Sequence, residues 1–199
     1  MKFILAGNNP GKLREMNEIL TEIGIEVVRQ KDLGFDIHTD ETETTFEENA
    51  FLKANELMLA SGMPAIADDS GLAVDALGGE PGVYSARYGG ESCKTDDERT
   101  ALLLKNMEGR EQRNAKFVSA IVCVFPDGKS ITVRGEVEGE ITLAPTGNGG
   151  FGYDPVFYLP QFGRTMAEIS QEEKNSVSHR GRALKKLKIE LEKMNHADN

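Results

Sequence analysis

The sequence predicts a single mixed α/β domain, and two stretches carry most of that prediction. Apolar segments at residues 2–6 and 25–28 flank a helical pattern, so the chain begins as strand, helix and strand. Residues 116–125 (KFVSAIVCVF) form a near-continuous apolar run, which is typical of a central strand covered on both faces. Because no linker, repeat or low-complexity tract interrupts residues 1–199, we expect one domain.

Periodicity and end signals predict the helices of the first third of the chain. The segment 12–24 ends at a glycine and carries apolar residues on one helical face, namely Leu13, Met16, Leu20 and Ile23. Residues 36–45 form an acidic, threonine-rich loop. Thr45 and Glu48 then have the spacing of a capping box, which predicts a helix through about Ser61.

The remaining elements are predicted in the same way. In chain order they are a strand at 65–67 that runs into Asp68 and Asp69, a loop at 84–92, a helix at 96–107, a turn at 126–129, an alternating strand at 130–141 and a helix from Ser178. The first turn of the helix at 96–107 is acidic, as the helix dipole favours. The whole pattern is that of an α/β protein.

Composition and charge exclude several classes of partner. The 199 residues carry a net charge of −10, which argues against a basic face for a nucleic-acid polymer. The first apolar segment is too short for a signal peptide, and no segment approaches the ~20 apolar residues of a membrane span. With Cys93 and Cys123 as the two cysteines, we expect a cytoplasmic protein without membrane association.

Two glycine-rich segments are candidate ligand loops. GNNPGK (7–12) joins the first strand to the first helix, where backbone N–H groups and Lys12 attract phosphate, although its spacing is not that of a Walker loop. GNGGFG (147–152) is followed by YDP, and Pro155 argues against a Rossmann helix. Phe151 and Tyr153 are able to stack on a flat ring. The alternative interpretations are a Pro/Gly turn with a solvated lysine and a flexible loop with core aromatics.

Charged residues form two further candidate groups. Lys174, His179 and Arg180 lie before and at the start of the last helix, where they could bind phosphate or a base carbonyl, or simply be solvated. Asp68 and Asp69 are either turn residues or ligands of a cation. The 3 histidines lack zinc spacing, so carboxylates favour Mg²⁺. Taken together, these groups predict a site for a nucleotide polyphosphate with Mg²⁺.

Four longer motifs carry a resemblance to a known family. They are TFEENAFLKA (45–54), AIADDSGLAVDALGGEPGVYSARY (65–88), TGNGGFGYDPVF (146–157) and EEKNSVSHRG (172–181). In these motifs the chain resembles the inosine/xanthosine triphosphate pyrophosphatases over nearly its whole length. The resemblance implies a long mixed central sheet with flanking helices and two lobes around a deep active-site cleft. It also implies a homodimer that uses Mg²⁺ to split noncanonical purine nucleoside triphosphates (ITP, dITP, XTP) into monophosphate and pyrophosphate.

The resemblance also assigns roles to individual residues. The phosphates are held by the first loop, which consists of Gly7, Asn8, Asn9, Pro10, Gly11 and Lys12. Asp69 and Lys53 are the implied catalytic residues, with Asp69 also a metal ligand beside either Asp40 or Glu41. Substrate contacts are implied for Ser70, Phe151, Gly152, Tyr153, Asp154 and Lys174, and for His179 and Arg180 at the six-position oxygen of the purine.

Three other functions stay open at this point. A pyrophosphatase with a different base preference would need the same phosphate machinery. A nucleotide-binding module without turnover would have no use for the carboxylates. A glycosidase would use two carboxylates, but it would leave the lysines without a purpose, and the chain has no tryptophan to serve as a sugar platform.

Overall fold

The computed structural model describes residues 1–197 of the chain. Its strands are β1 (Lys2–Ala6), β2 (Glu26–Arg29), β3 (Ala65–Val74), β4 (Asn114–Val124), β5 (Ser130–Ile141), β6 (Phe157–Leu159) and β7 (Arg164–Thr165). Its α-helices are α1 (Pro10–Leu20), α2 (Phe46–Ser61), α3 (Asp96–Asn106), α4 (Gln171–Val177) and α5 (His179–Ala197). Short 3₁₀ segments lie at Thr21–Ile23, Gln30–Leu33, Asp75–Leu77, Gly82–Arg87, Gly90–Ser92 and Asp154–Val156.

The strands form one 7-stranded sheet in the order β2-β1-β3-β4-β5-β6-β7. Strand β1 pairs in parallel with β2 and with β3, whereas β5–β6 and β6–β7 are antiparallel. The predicted mixed α/β fold is therefore confirmed. Strand β4 lies in the middle of the sheet and is buried from Phe117 to Val124, as its continuous apolar run predicts.

Most predicted elements agree with the structure within a few residues, one differs in extent, and β6, β7 and α4 were not predicted. The strand predicted at 65–67 is wrong in extent, because β3 continues through Asp68 and Asp69 to Val74. Nearby cations make this possible, as described below. The region before the last helix contains the separate helix α4, whose N-terminus has a capping box between Ser170 and Glu173.

The chain divides into two compact units. Unit 1 comprises residues 1–69, 119–135 and 179–199, and unit 2 comprises residues 70–118 and 136–178. The deep cleft expected between two lobes stays a prediction. No helix within residues 1–197 combines the length and the apolar content that crossing a membrane requires.

In unit 1, helices cover both faces of the sheet. On one face, Phe3 and Leu5 of β1 pack in a cluster with apolar residues of α1 and α5, such as Leu20 and Leu187. On the other face, Ile4 packs in a cluster with residues of α2. Successive side chains of a strand point to opposite faces, so β1 contributes to both clusters. Burying each of these large side chains contributes roughly 1.5–3 kcal/mol.

Unit 2 has its own apolar core. The core joins Leu72 and Val74 of β3 to Leu103 of α3 and to aromatic side chains such as Phe117 and Phe157. The rings of Phe117 and Phe157 are tilted against each other with centroids 4.4 Å apart. This core supports the chain around the glycine-rich segment 147–152.

Candidate active site

The acid pair lies at the carboxyl end of β1. The β1–β3 pairing runs through Ala6 and Ala67, and β1 ends there while β3 continues. In the order β2-β1-β3-β4, the connection after β1 leads to β2 on one side and the connection after β3 leads to β4 on the other, which is the arrangement of a topological switch point. Asp68 and Asp69 are the first residues of β3 beyond β1, so they lie at this switch point.

The two aspartates face opposite sides of the sheet. Ile66 belongs to the cluster with α1 and α5, whereas Ala65 and Ala67 belong to the cluster with α2. Because side chains alternate along a strand, Asp68 points to the α1/α5 side and Asp69 to the α2 side. Each carboxylate therefore has cations of its own, which explains how like charges tolerate adjacent positions in a strand.

Asp68 is buried among cations and a hydroxyl. Its Oδ1 lies 2.7 Å from Lys12 Nζ, and its Oδ2 accepts from Arg180 Nε at 2.9 Å and from Ser119 Oγ at 2.8 Å. Arg180 also donates to Glu15 Oε2 at 2.6 Å. Burial alone would raise the pKa of Asp68, but the charges of Arg180 and Lys12 hold that pKa well below its usual range.

Asp69 shares a lysine with Glu41. Lys53 Nζ lies 2.8 Å from Asp69 Oδ1 and 2.7 Å from Glu41 Oε1. Burial would lower the pKa of Lys53, but these two carboxylates raise it, so the lysine stays charged. Within residues 1–197, the buried Oδ2 of Asp69 has no hydrogen-bond partner. This oxygen is one that a cation or a water would satisfy.

The donors here fit Mg²⁺, which typically takes one or two carboxylates and completes its shell with water and substrate phosphate. Asp69 and Glu41 offer two carboxylates around one ammonium, whereas Asp40 is exposed and its side chain does not join this cluster. Among the described residues there is no group of three or more ligating side chains. Of the two candidates for the second metal carboxylate, the geometry favours Glu41.

In the first loop, residues 7–12, some residues form the start of α1 and others are placed to contact a ligand. Asn9 caps α1, because its side-chain oxygen accepts from the N–H groups of Gly11 at 2.8 Å and Lys12 at 3.1 Å. Pro10 occupies the first turn of the helix. Gly7 has a φ of 131°, which favours glycine. Asn9 through Gly11 thus form the start of α1, whereas Gly7 and Asn8 lie before the helix and line the adjacent cavity.

A cavity of about 230 Å³ adjoins this loop in unit 1. It is lined by Ala6, Gly7, Asn8, Gln30, Ile37, His38, Thr39, Lys53 and Leu57. Gln30 shapes one wall, since its side-chain amide donates to the Ile37 carbonyl at 3.0 Å and accepts from the Ile37 N–H at 3.2 Å. The loop and Lys53 therefore border the same space.

A second cluster lies in unit 2. Asp154 Oδ2 accepts from Lys174 Nζ at 2.7 Å and from the backbone N–H of Phe151 at 2.9 Å. Lys174 Nζ is also 4.6 Å from the centroid of the Phe151 ring. The structure thus brings together Phe151, Asp154 and Lys174, with the half-buried Gly152 beside them. Lys174 is buried in this pair rather than extended into solvent.

Two predicted ligand residues have contacts that differ from those expected. Tyr153 is buried in the core of unit 2 and donates its hydroxyl to the Ser85 carbonyl at 2.8 Å, so its ring is not placed for stacking. Arg180 directs its guanidinium to Asp68 and Glu15, so the structure does not present it as a donor to a base. His179 is buried beside it, and Ser70 is half-buried at the next position of β3 after Asp69.

The sequence-based prediction missed two residues of the Asp68 network. Glu15 is buried on the same face of α1 as Met16 and Ile19, and a carboxylate within an apolar helix face is a visible signal. Ser119 is the one polar residue in the run 117–125. Both residues are polar side chains within an apolar pattern, and a polar side chain that is buried needs a hydrogen-bond or ion-pair partner.

Comparisons with known proteins identify the family of the chain. A model of the Ham1 family matches residues 3–190. The dITP/XTP pyrophosphatase of Exiguobacterium sp. is 50% identical over 191 residues, covering 96% of this chain and 97% of that protein. The dITP/XTP pyrophosphatase of Escherichia coli K12 is 48% identical over 190 residues, covering 94% and 95%.

Solved structures give the same answer for the fold. The Staphylococcus aureus Ham1 protein superposes with a TM-score of 0.87 at 41% identity, covering 98% of this chain and 100% of that chain. The Mycobacterium abscessus nucleoside-triphosphatase / dITP/XTP pyrophosphatase superposes with a TM-score of 0.74 at 45% identity, covering 94% and 98%.

Proposed function

The chain belongs to the Ham1 family, and from this premise we propose that it hydrolyses noncanonical purine nucleoside triphosphates such as dITP, XTP and ITP to the monophosphate and pyrophosphate. One structural observation carries the proposal. At the β1/β3 switch point, Asp69 has one oxygen on Lys53 and one buried oxygen without a partner among the described residues. That arrangement suits a carboxylate that works on a cation or a water.

The lysines supply the positive charge that a polyphosphate needs. Lys12 and Lys53 approach the same backbone carbonyl, that of Asp68, at 3.0 and 3.4 Å. Two ammonium groups close to one point neutralise phosphate charge before a nucleophile approaches. Phosphoryl transfer gains most of its acceleration from positioning and electrostatics of this kind.

Asp69 and Glu41 are the residues that would hold Mg²⁺. When bound, Mg²⁺ neutralises phosphate oxygens and lowers the pKa of a coordinated water. Asp69 would orient the attacking water, and Lys53 keeps the two carboxylates together through its bonds of 2.7 and 2.8 Å. The requirement for Mg²⁺ is part of this proposal.

The base is assigned to the unit 2 cluster, and the predicted contact of His179 with the six-position oxygen stays a separate prediction. Phe151 offers an aromatic face whose other side is supported by Lys174. Hypoxanthine and xanthine carry a carbonyl at the six-position, which accepts a hydrogen bond, whereas adenine carries an amine. A buried donor opposite that amine stays unsatisfied, at a cost of about 1–3 kcal/mol. We assign no base contact to Arg180.

Incubation of the protein with dITP, XTP, ITP, GTP and ATP, each with and without Mg²⁺, tests the function. We expect pyrophosphate release from the first three with Mg²⁺ and little from ATP. Phosphorus NMR should show monophosphate and pyrophosphate, because attack is proposed at the α-phosphate. Binding without turnover would indicate a nucleotide-binding module, and release from another triphosphate would indicate a different base preference.

The homodimer and the cytoplasmic location also belong to the proposal. Sedimentation equilibrium should give twice the mass of the 21.8 kDa chain. A monomeric mass at micromolar concentration would contradict the dimer without affecting the proposed reaction.

A further inference from the structure

Lys12 and Lys53 differ in how many of their donors are already used. An ammonium has three N–H donors. Lys53 has three acceptors, which are Glu41, Asp69 and the carbonyl of Asp68. Within residues 1–197, Lys12 has two acceptors, and both belong to Asp68. Lys12 therefore keeps one donor for a substrate, and its side chain is 21% exposed.

From this difference we infer that Asp68 is a positioning residue, which fixes the ammonium of Lys12 so that its remaining donor meets a phosphate oxygen of the substrate. The inference rests on the proposed function, in which Lys12 binds phosphate. It assigns separate tasks to the two aspartates: Asp69 faces the reacting groups, and Asp68 acts through Lys12.

The partners of Asp68 show how its carboxylate is itself fixed. Oδ2 accepts from Arg180 Nε and Ser119 Oγ, and Oδ1 accepts from Lys12 and from Arg180 Nη2 at 3.3 Å. Both oxygens are thus fully used, unlike those of Asp69. Arg180 is in turn held by Glu15, and the side chains of Asp68 and Arg180 are 0% and 1% exposed. A carboxylate held from three directions offers one fixed position to Lys12.

Such fixing matters because a lysine side chain has four rotatable bonds. An ammonium that must find its phosphate from many rotamers loses binding free energy on ordering, and a preorganised one does not. Misplacement of a positioning group by about 1 Å costs up to 10²-fold in rate. Lys12 bonds both the side chain and the main chain of one residue, so Asp68 determines its position more fully than a single ion pair would.

The test is a double-mutant cycle between Asp68 and Lys12. Steady-state kinetics with ITP are measured for Asp68→Asn, Lys12→Met and the double variant. We expect Asp68→Asn to lower kcat/KM by about 10–100-fold, mostly through KM, because a ground-state phosphate contact is lost. In the Lys12→Met background the same change should cost less than about threefold, since the group that it positions is absent.

If Asp68→Asn does not fold, Ser119→Ala replaces it in the same double-mutant cycle. Removing this hydroxyl loosens Asp68 without unpairing a buried charge, and we expect a rise in KM of about 3–10-fold that disappears in the Lys12→Met background. Ser85→Ala is the matched control, because Ser85 is another buried serine, in unit 2, whose hydroxyl accepts from the Leu72 N–H and donates to the Gly82 carbonyl. Equal losses in both Lys12 backgrounds would overturn the inference.

A binding measurement separates this inference from the proposed function. If the wild-type protein releases no pyrophosphate from any triphosphate, the proposed function fails. Calorimetry with inorganic tripolyphosphate then tests the positioning role alone. We expect Ser119→Ala to weaken tripolyphosphate binding when Lys12 is present and to leave binding unchanged in the Lys12→Met background. Absence of tripolyphosphate binding by the wild type, or equal weakening in both backgrounds, would refute the inference.

Discussion

Replacing Arg180 by methionine tests whether its guanidinium belongs to the protein interior or to the ligand. The guanidinium bonds Glu15 at 2.6 Å and Asp68 at 2.9 and 3.3 Å, and all three side chains are at most 2% exposed. Arg180→Met would remove this guanidinium from two buried carboxylates, of which Asp68 keeps its ion pair with Lys12. Removing one partner of a buried ion pair costs about 3–5 kcal/mol.

That loss corresponds to a large change in thermal stability. For a chain of this size, 1 kcal/mol shifts Tm by about 2–4 °C. The expected decrease in Tm is therefore roughly 6–20 °C. Differential scanning calorimetry or circular dichroism at neutral pH measures it directly. Urea unfolding gives the same free energy through the transition midpoint.

Arg134→Met is the matched control. Arg134 Nη1 bonds Glu47 Oε1 at 2.7 Å, but the two side chains are 40% and 32% exposed. Exposed pairs contribute about 0–1 kcal/mol, so Tm should fall by at most a few degrees. The two variants remove the same group from pairs of similar length, and they differ in burial.

A decrease of less than about 2 °C for Arg180→Met would refute this reasoning. It would mean that the guanidinium contributes little to the fold and is available to a base, as the family resemblance implies. Kinetics distinguish the two roles again at a temperature where the variant is folded. We expect ITP and ATP turnover to fall by similar factors, whereas a base-reading arginine would lose ITP activity selectively.

Three further predictions follow from the described contacts. Asp69→Asn should lower pyrophosphate release about 10²–10⁴-fold while the circular dichroism spectrum stays unchanged, and near-normal turnover would contradict the assignment. Gly150→Ala should lower Tm by several degrees more than Gly152→Ala, because both glycines have positive φ but only the Cβ added at Gly150 would overlap Asp154 Oδ2. Equal melting temperatures would show that the carboxylate moves freely. The folded pKa of Asp68 lies below its unfolded value, so its contribution to stability is present above about pH 4 and is lost as the pH falls further. In urea unfolding, the free energy of unfolding of Asp68→Asn should therefore fall less steeply below about pH 4 than that of the wild type.

Local signals in the sequence were sufficient for most of the elements. Thr45 caps α2 by accepting from the N–H of Glu48, as the spacing of the two residues predicts, and the helix ends at Ser61, followed by Gly62 with a φ of 66°. The apolar run of β4 predicted its central position. The helix α4 was missed because seven residues are too few for a periodic pattern to be recognised.

The extent of β3 could not be predicted from local signals. Asp-Asp-Ser-Gly has the composition of a turn, and aspartate is unfavourable in strands. The structure places these residues in a strand because Lys12, Ser119 and Arg180 surround Asp68, at sequence separations of 56, 51 and 112. Compensation over such distances is a property of the folded chain and leaves no mark near residue 68.

The candidate site was predicted better in its residues than in their partners. Lys53, Asp69 and Glu41 were each singled out, and the structure brings their charged groups together. The contacts of Arg180 and Tyr153 were not predicted, because a motif gives a residue type and does not say whether its side chain points toward a ligand or into the core. Burial distinguishes these possibilities, and the sequence alone does not define it.

The separation of 112 residues between Asp68 and Arg180 also has a consequence for synthesis on the ribosome. Unit 1 consists of three stretches of chain, and the last of them, from residue 179 onward, follows every residue of unit 2. When a nascent chain has completed β3, Lys12 is available to pair with Asp68, but Arg180 has not yet been synthesised. The interior of unit 1 therefore lacks one of its charges until Arg180 emerges. Long-range pairing of this kind slows folding and prolongs the exposure of unfinished surfaces. The first segment to be translated is therefore among the last to reach its final structure.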